Sequence, residues 1–96
     1  GLGDVYKRQM YGSDEILKYM KGEILFKENK VDEAVEAFKA SIDVKENIDA
    51  YIGVIKCYMK KNMLDEAKKY CERALLTTED EDLRNELKFL IEKIGG

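Results

Sequence analysis

Apolar residues recur every three or four positions through most of the chain, which is the period of an amphipathic α-helix. In the stretch VEAFKASI, for example, they fall at Val35, Phe38 and Ile42. Polar turns separate such stretches, so the pattern predicts one helix before this one and three after it. We expect Ser13 to cap the first helix and Asn47 to cap the third, near residues 49–61.

The last segment predicts a fifth helix with a single apolar stripe. The residues of this stripe are spaced by three or four positions: Leu83, Leu87, Leu90, Ile91 and Ile94. The preceding residues, Thr78 to Glu81, have the form of a capping box, in which Thr78 and Glu81 satisfy each other's backbone N–H groups. We expect residues 79–96 to form either a capping helix or the start of a truncated third repeat.

Two segments of the chain repeat each other. YMKGEILFKENKVDEAVEAFKASI and IGVIKCYMKKNMLDEAKKYCERAL align on a shared Asp-Glu-Ala, so Ala34 and Ala67 are equivalent and the repeat period is 67 − 34 = 33. Each segment has an apolar helical stretch, a turn containing asparagine (Asn29, Asn62) and a second amphipathic stretch. A period of this length is typical of stacked helical hairpins and predicts an all-α fold.

These segments resemble the tetratricopeptide repeat (TPR) family. The small residues of the family pattern are at Gly22, Ala34, Ala67 and Ala74, and the large ones are at Leu25, Phe38 and Tyr58. The resemblance implies two antiparallel hairpins, residues 10–46 and 47–78, stacked as a short right-handed solenoid. The second repeat departs from the pattern, because Ile55 stands where a small residue is expected and Cys71 stands where the first repeat has Phe38.

The resemblance also implies a concave groove lined by the first helix of each repeat. Its positions here are Ile16, Tyr19, Glu23, Phe26 and Lys27 in repeat one, and Asp49, Ile52, Lys56, Met59 and Lys60 in repeat two. The implied function is a non-enzymatic protein–protein interaction module that binds a peptide or helix of another protein. Two alternatives stay open: a homo-oligomeric scaffold that uses the same apolar face, and a binder of single-stranded RNA, because the second repeat also resembles a pentatricopeptide repeat.

One sub-family of TPR domains binds the C-terminal carboxylate of chaperones through lysines, asparagines and an arginine. The corresponding positions here hold Tyr19, Glu23 and Gly53. The negative charge of Glu23 opposes a carboxylate, and Lys56 alone does not restore the clamp. We therefore do not expect a chaperone C-terminus as the partner.

The composition narrows the function further. The net charge is −3 with a pI of about 5.1, and no basic stripe indicates a nucleic-acid partner. The longest apolar stretch, YIGVI, is far shorter than the roughly 20 residues that cross a bilayer, so no membrane contact is expected. The chain has no histidine, the commonest general base. We expect no catalytic site, metal or cofactor.

The two cysteines, Cys57 and Cys71, have no CxxC spacing and no histidine nearby to complete a zinc site. Their pattern predicts buried free thiols in a reducing compartment, with a disulfide between neighbouring helices as the alternative. No basic start followed by an apolar stretch marks a secretory signal. The sequence therefore predicts a cytoplasmic location.

The first nine residues, GLGDVYKRQ, resemble the translated tail of a transposase-type sequencing adapter at every position. We therefore expect residues 1–9 to be a non-native extension that is poorly ordered or extends the first helix by chance, with a natural disordered N-terminus as the alternative. An adapter joined in frame also suggests a fragment of a larger TPR protein. In that protein, further repeats, a signal peptide or a fused domain would precede Met10.

Overall fold

The computed structural model describes residues 14–95 of the chain as five α-helices: α1 (Asp14–Lys27), α2 (Val31–Val44), α3 (Ile48–Lys60), α4 (Leu64–Thr77) and α5 (Glu81–Gly95). Helix α1 pairs with α2, and α3 pairs with α4. The two hairpins stack through α2 and α3, with further contact between α1 and α3, and α5 packs on α4. The predicted all-α helical-repeat fold is confirmed. Ser13 and the adapter-like residues 1–9 lie outside the described residues.

Both hairpins turn through the same backbone motif. Asn29 and Asn62 have positive φ angles of 65° and 61°. The N–H groups of Lys30 and Met63 bond to the carbonyls of Leu25 and Tyr58, at 2.9 and 2.8 Å. This is the Schellman arrangement, in which the residue after the helix adopts the left-handed conformation that asparagine tolerates better than most residues. The repeated asparagine of the sequence therefore ends the first helix of each hairpin.

The caps of α3 and α5 differ in how well the sequence predicted them. Asn47 caps α3 as expected, because its side chain accepts a hydrogen bond from the Ala50 N–H at 2.9 Å. The prediction of a capping box that begins at Thr78 is wrong. Asp80 caps α5 instead, accepting from the N–H groups of Asp82 and Leu83 at 2.9 and 3.4 Å. Thr78 accepts from the Asp80 N–H at 3.1 Å and lies before the helix.

The side chain at the centre of the molecule is Phe38 of α2. It is only 1% exposed, and its ring lies between two glycines, Gly22 of α1 and Gly53 of α3. A Cβ atom added to Gly22 would meet ring atoms at 2.7 Å, and one added to Gly53 would meet them at 2.6 Å. The two glycines therefore let the helices of both repeats approach one ring closely.

The alanines that the sequence assigned to close helix contacts, Ala34, Ala67 and Ala74, are fully buried. Cys57 and Cys71 are buried free thiols, so the predicted thiol state is confirmed and the alternative disulfide does not form. Burial raises the pKa of each thiol to about 11. Because thiolates are the reactive form of cysteine, these two side chains contribute packing rather than chemistry.

Helix α5 is joined to the second hairpin by polar as well as apolar contacts. Its inner face places Leu87 in the core at 1% exposure. Arg84 donates hydrogen bonds to the carbonyls of Leu75 and Thr78, at 2.6 and 3.2 Å. These bonds satisfy carbonyls near the end of α4, which have no partner within that helix. The predicted covering of the second repeat by a fifth helix is therefore present.

Candidate peptide-binding groove

Helices α1 and α3, which carry all the predicted groove residues, lie side by side in the stack. Four of these residues form the wall of one cavity of about 240 Å³: Glu23, Phe26, Lys27 and Lys56. Phe38 and Gly53 complete its lining. The structure thus brings residues of the two repeats together at one concave site.

The floor of this cavity was not part of the predicted site. The sequence assigned Phe38 to packing between helices, and it does pack there, but one side of its ring also faces the cavity. Gly53, against which the ring packs closely, lines the cavity beside it. A glycine on α3 between two predicted groove positions, Ile52 and Lys56, is a sign of close approach, but it does not identify Phe38 as the side chain that lies there.

One side of the groove is acidic. The hydroxyl of Tyr19 donates a hydrogen bond to the Glu23 carboxylate at 2.9 Å. Burial raises the pKa of Tyr19 to about 12, and the hydrogen bond to Glu23 and the charges of Glu23 and Asp49 add to this shift. Tyr19 therefore stays protonated at neutral pH and acts as the donor that holds the Glu23 carboxylate in the cavity wall.

The other side of the groove is basic. The ammonium group of Lys60 lies 5.1 Å from the centre of the Phe26 ring, a cation–π contact between the two repeats. Lys27 and Lys56 are exposed, and within residues 14–95 neither forms an ion pair. The positive charges on this side are therefore available to a ligand.

The remaining predicted positions lie on the same helices but do not line the cavity. Ile16 is exposed, Ile52 is half-buried, and Met59 is half-buried against the core. Within the part of the chain that the structure describes, no group of three or more His, Cys, Asp or Glu side chains has the arrangement of a metal site. None of the described helices has both the length and the apolar character that spanning a membrane requires.

Comparison with known proteins agrees with this architecture. A family model described as tetratricopeptide repeat matches residues 25–88, two thirds of the chain. No curated protein and no solved structure matches the chain. The two stacked hairpins define a helical-repeat protein, and the match shows that the chain belongs to the tetratricopeptide repeat family. Repeats of this family are protein–protein interaction modules, and they are typically non-catalytic.

Proposed function

We propose that this chain is a non-enzymatic module that binds a segment of a partner protein in the groove between α1 and α3. The observation that carries the proposal is the cavity of about 240 Å³, whose wall contains four predicted groove residues from both repeats. Small-molecule sites usually occupy roughly 300–1,000 Å³. A smaller cavity in an open groove fits one apolar side chain of a segment whose remaining length lies along the groove.

The surroundings of the cavity favour a protein segment over a terminal carboxylate. Glu23 stands in the cavity wall and is held there by Tyr19, so a terminal carboxylate next to it would meet a negative charge. The wall also includes the half-buried ring of Phe26, whereas Phe38 at the floor is already 1% exposed and adds little area for a partner to cover. Aromatic rings bury a large apolar area, and helices position them without further ordering when the partner binds.

The test uses a displayed library of random peptides of about nine residues, panned against the wild-type chain. We expect enriched sequences whose capture is lost with Phe26→Ala and with Ile52→Asp. The matched control is Leu76→Ala, which removes an exposed apolar side chain from α4, away from the groove. Circular dichroism confirms that each variant is folded. Equal capture by the wild type and by the folded groove variants would contradict the proposal.

Self-association is a second candidate; the observation that favours it concerns another face of α1 than the apolar groove face that the sequence suggested for it. Leu17, Met20 and Ile24 form an exposed apolar stripe on α1. The residues 33 positions later, Ala50, Gly53 and Cys57, are buried. A second copy would cover the stripe and form a scaffold. In that case we expect the sedimentation coefficient to increase with protein concentration, and we expect Met20→Lys to abolish this increase. A chain that stays monomeric at all concentrations excludes self-association.

The RNA-binding alternative is a prediction with a separate test. A mobility-shift assay with single-stranded RNA at low salt distinguishes it from protein binding, because phosphate contacts weaken steeply as salt rises. The net charge of −3 favours a protein partner. A salt-sensitive shift would restore RNA as a ligand.

A further inference from the structure

We propose that the partner segment is an internal acidic segment that crosses α1, α3 and α5, with its carboxylates on a row of three lysines. The row, called here the lysine row, consists of Lys27, Lys60 and Lys93. The inference rests on the proposed function, since it names the chemistry of the segment that this groove binds. It also extends the groove onto a third helix.

Helix α5 has the same register as α3. Their capping residues, Asn47 and Asp80, are separated by one repeat period, 80 − 47 = 33. The residue of α5 that enters the core, Leu87, follows buried Val54 by the same interval. Helix α5 therefore presents the positions of a first repeat helix.

The lysine row follows this register. Lys27, Lys60 and Lys93 succeed one another at intervals of one repeat period, and each lies in the last turn of its helix. Positive side chains in a last turn stabilise any helix through its dipole, so helix stability alone would place them on every helix. The outer helices α2 and α4 have no basic residue in their last turns. Last-turn lysines therefore occur on the two groove helices, α1 and α3, and at the matching position of α5, which favours a role in binding.

Two further contacts connect the row with the apolar part of the groove. Lys60 lies over the ring of Phe26, and Lys93 lies 5.6 Å from the centre of the Phe89 ring. Phe89 is 59% exposed. Lys56, in the middle of α3 where the helix dipole has little effect, adds its charge to the cavity wall. Each cation therefore stands beside an apolar surface, which suits a segment that alternates acidic and apolar side chains.

Acidic residues at the opposite edge of the groove determine on which side the carboxylates of the segment lie. Asp49 and Asp82, also one repeat period apart, lie in the first turns of α3 and α5. A segment that placed its carboxylates there would be repelled. Packed helices lie about 8–10 Å apart and an extended chain advances about 3.3 Å per residue. Carboxylates at every third position of the segment therefore suit the spacing of the contacting helices α1 and α3, and the proposal extends the same spacing to α5.

The test uses three fluorescent synthetic peptides of about nine residues, each with one central phenylalanine. The first has glutamate at every third position, the second has lysine at those positions, and the third has the same glutamates side by side. We expect the first peptide to bind best by fluorescence anisotropy. Its affinity should fall as salt rises from about 50 to about 300 mM, because the exposed charges are screened.

Lys60→Glu and Lys45→Glu form a matched pair of variants. Lys45 is exposed and follows the last turn of α2, so its reversal has the same effect on a helix dipole but lies away from the groove. We expect Lys60→Glu to lower the affinity for the first peptide about fivefold. The double variant Lys27→Glu/Lys60→Glu should lower it about tenfold, and Lys45→Glu less than about twofold.

Three results would overturn the inference. They are equal binding of the glutamate and lysine peptides, equal loss from Lys60→Glu and Lys45→Glu, and binding of a single-stranded RNA oligonucleotide in place of the acidic peptide. The proposed function is tested separately by the peptide library. If the enriched peptides contain no acidic residues but lose their binding with Ile52→Asp, the role of the lysine row is overturned and the groove assignment stands. Absence of any groove-dependent enrichment would overturn both.

Discussion

The two hairpins share a backbone motif but fill the space between their helices in opposite ways. In the first, Gly22 on α1 faces the large ring of Phe38 on α2. The residues 33 positions later are Ile55 and Cys71, 1% and 0% exposed, so the large side chain is now on the first helix and the small one on the second. The total volume between helices matters more than which helix supplies it.

A second difference concerns the outer cleft of each hairpin. Between α3 and α4 lie three tyrosine rings: the ring of Tyr70 is 6.1 Å from that of Tyr51 and 5.7 Å from that of Tyr58. The equivalent residues of the first hairpin, Lys18, Leu25 and Ala37, line an open cleft of about 480 Å³. The second hairpin is therefore closed by aromatic packing, whereas the first depends on Phe38 and its contact with α3.

The largest expected effect follows from that dependence. Phe38→Ala removes a buried ring shared by α1, α2 and α3, and should lower the free energy of unfolding by about 3–5 kcal/mol, as measured by urea denaturation. Cys71→Ala, at the equivalent position of the second hairpin, removes only a sulfur atom and should cost clearly less. Phe89→Ala, on an exposed ring, is the control and should stay within about 0.5 kcal/mol. Equal losses for Phe38 and Cys71 would contradict the comparison.

The next effect reverses a usual preference. Alanine normally stabilises a helix interior by about 1 kcal/mol relative to glycine. At Gly53 its Cβ would meet three ring atoms of Phe38 at 2.6 to 2.8 Å. We therefore expect Gly53→Ala to lower the free energy of unfolding by about 1–3 kcal/mol.

The background variant Phe38→Leu tests the cause of that loss. The smaller side chain relieves the clash, so in this background Gly53→Ala should cost less than it does in the wild type. A double-mutant cycle measured by urea denaturation gives the coupling. A Gly53→Ala loss that is unchanged by Phe38→Leu would mean that another contact is responsible.

Whether a structural feature can be predicted from the sequence depends on how local that feature is. The five helices and the repeat period follow from spacing along the chain, so they were predictable, whereas the groove positions came from the family resemblance. The cap of α5 was missed because Thr78 and Asp80 are both good caps, and only the packing of α5 on α4 selects the helix start at Glu81. The cavity floor at Phe38 and Gly53 depends on the approach of two hairpins, which no local pattern encodes.

Ser41 and Ala74 occupy equivalent positions and offer a smaller test. The buried Ser41 hydroxyl donates a hydrogen bond to the Glu15 carbonyl at 2.6 Å and accepts one from the Asn47 amide at 3.2 Å. It thereby joins α1 to the cap of α3, a connection that alanine cannot make. We expect Ser41→Ala to cost about 1–2 kcal/mol in urea denaturation. A Ser41→Ala variant as stable as the wild type would contradict this account.

The smallest expected effect is the contribution of the two thiols of the second hairpin to the pH dependence of stability. It is absent at neutral pH and grows in alkaline solution. Their folded pKa of about 11 lies above the ordinary value of 9.0, so the folded chain keeps protons that the unfolded chain releases. The stability that this difference contributes is complete below about pH 9 and is lost as the pH rises through about 11. Urea midpoints measured across this range should therefore fall.

Two variants separate the hairpins in this experiment. Cys57→Ala with Cys71→Ala should be less stable than the wild type at neutral pH, because buried volume is lost, but its urea midpoint should decline less between pH 9 and 11. Tyr19→Phe removes a group of the first hairpin with a pKa of about 12, and should change the slope mainly above about pH 10, where tyrosine is more than half ionised in the unfolded chain. If the double variant loses stability as steeply as the wild type, the alkaline transition does not originate in the two thiols.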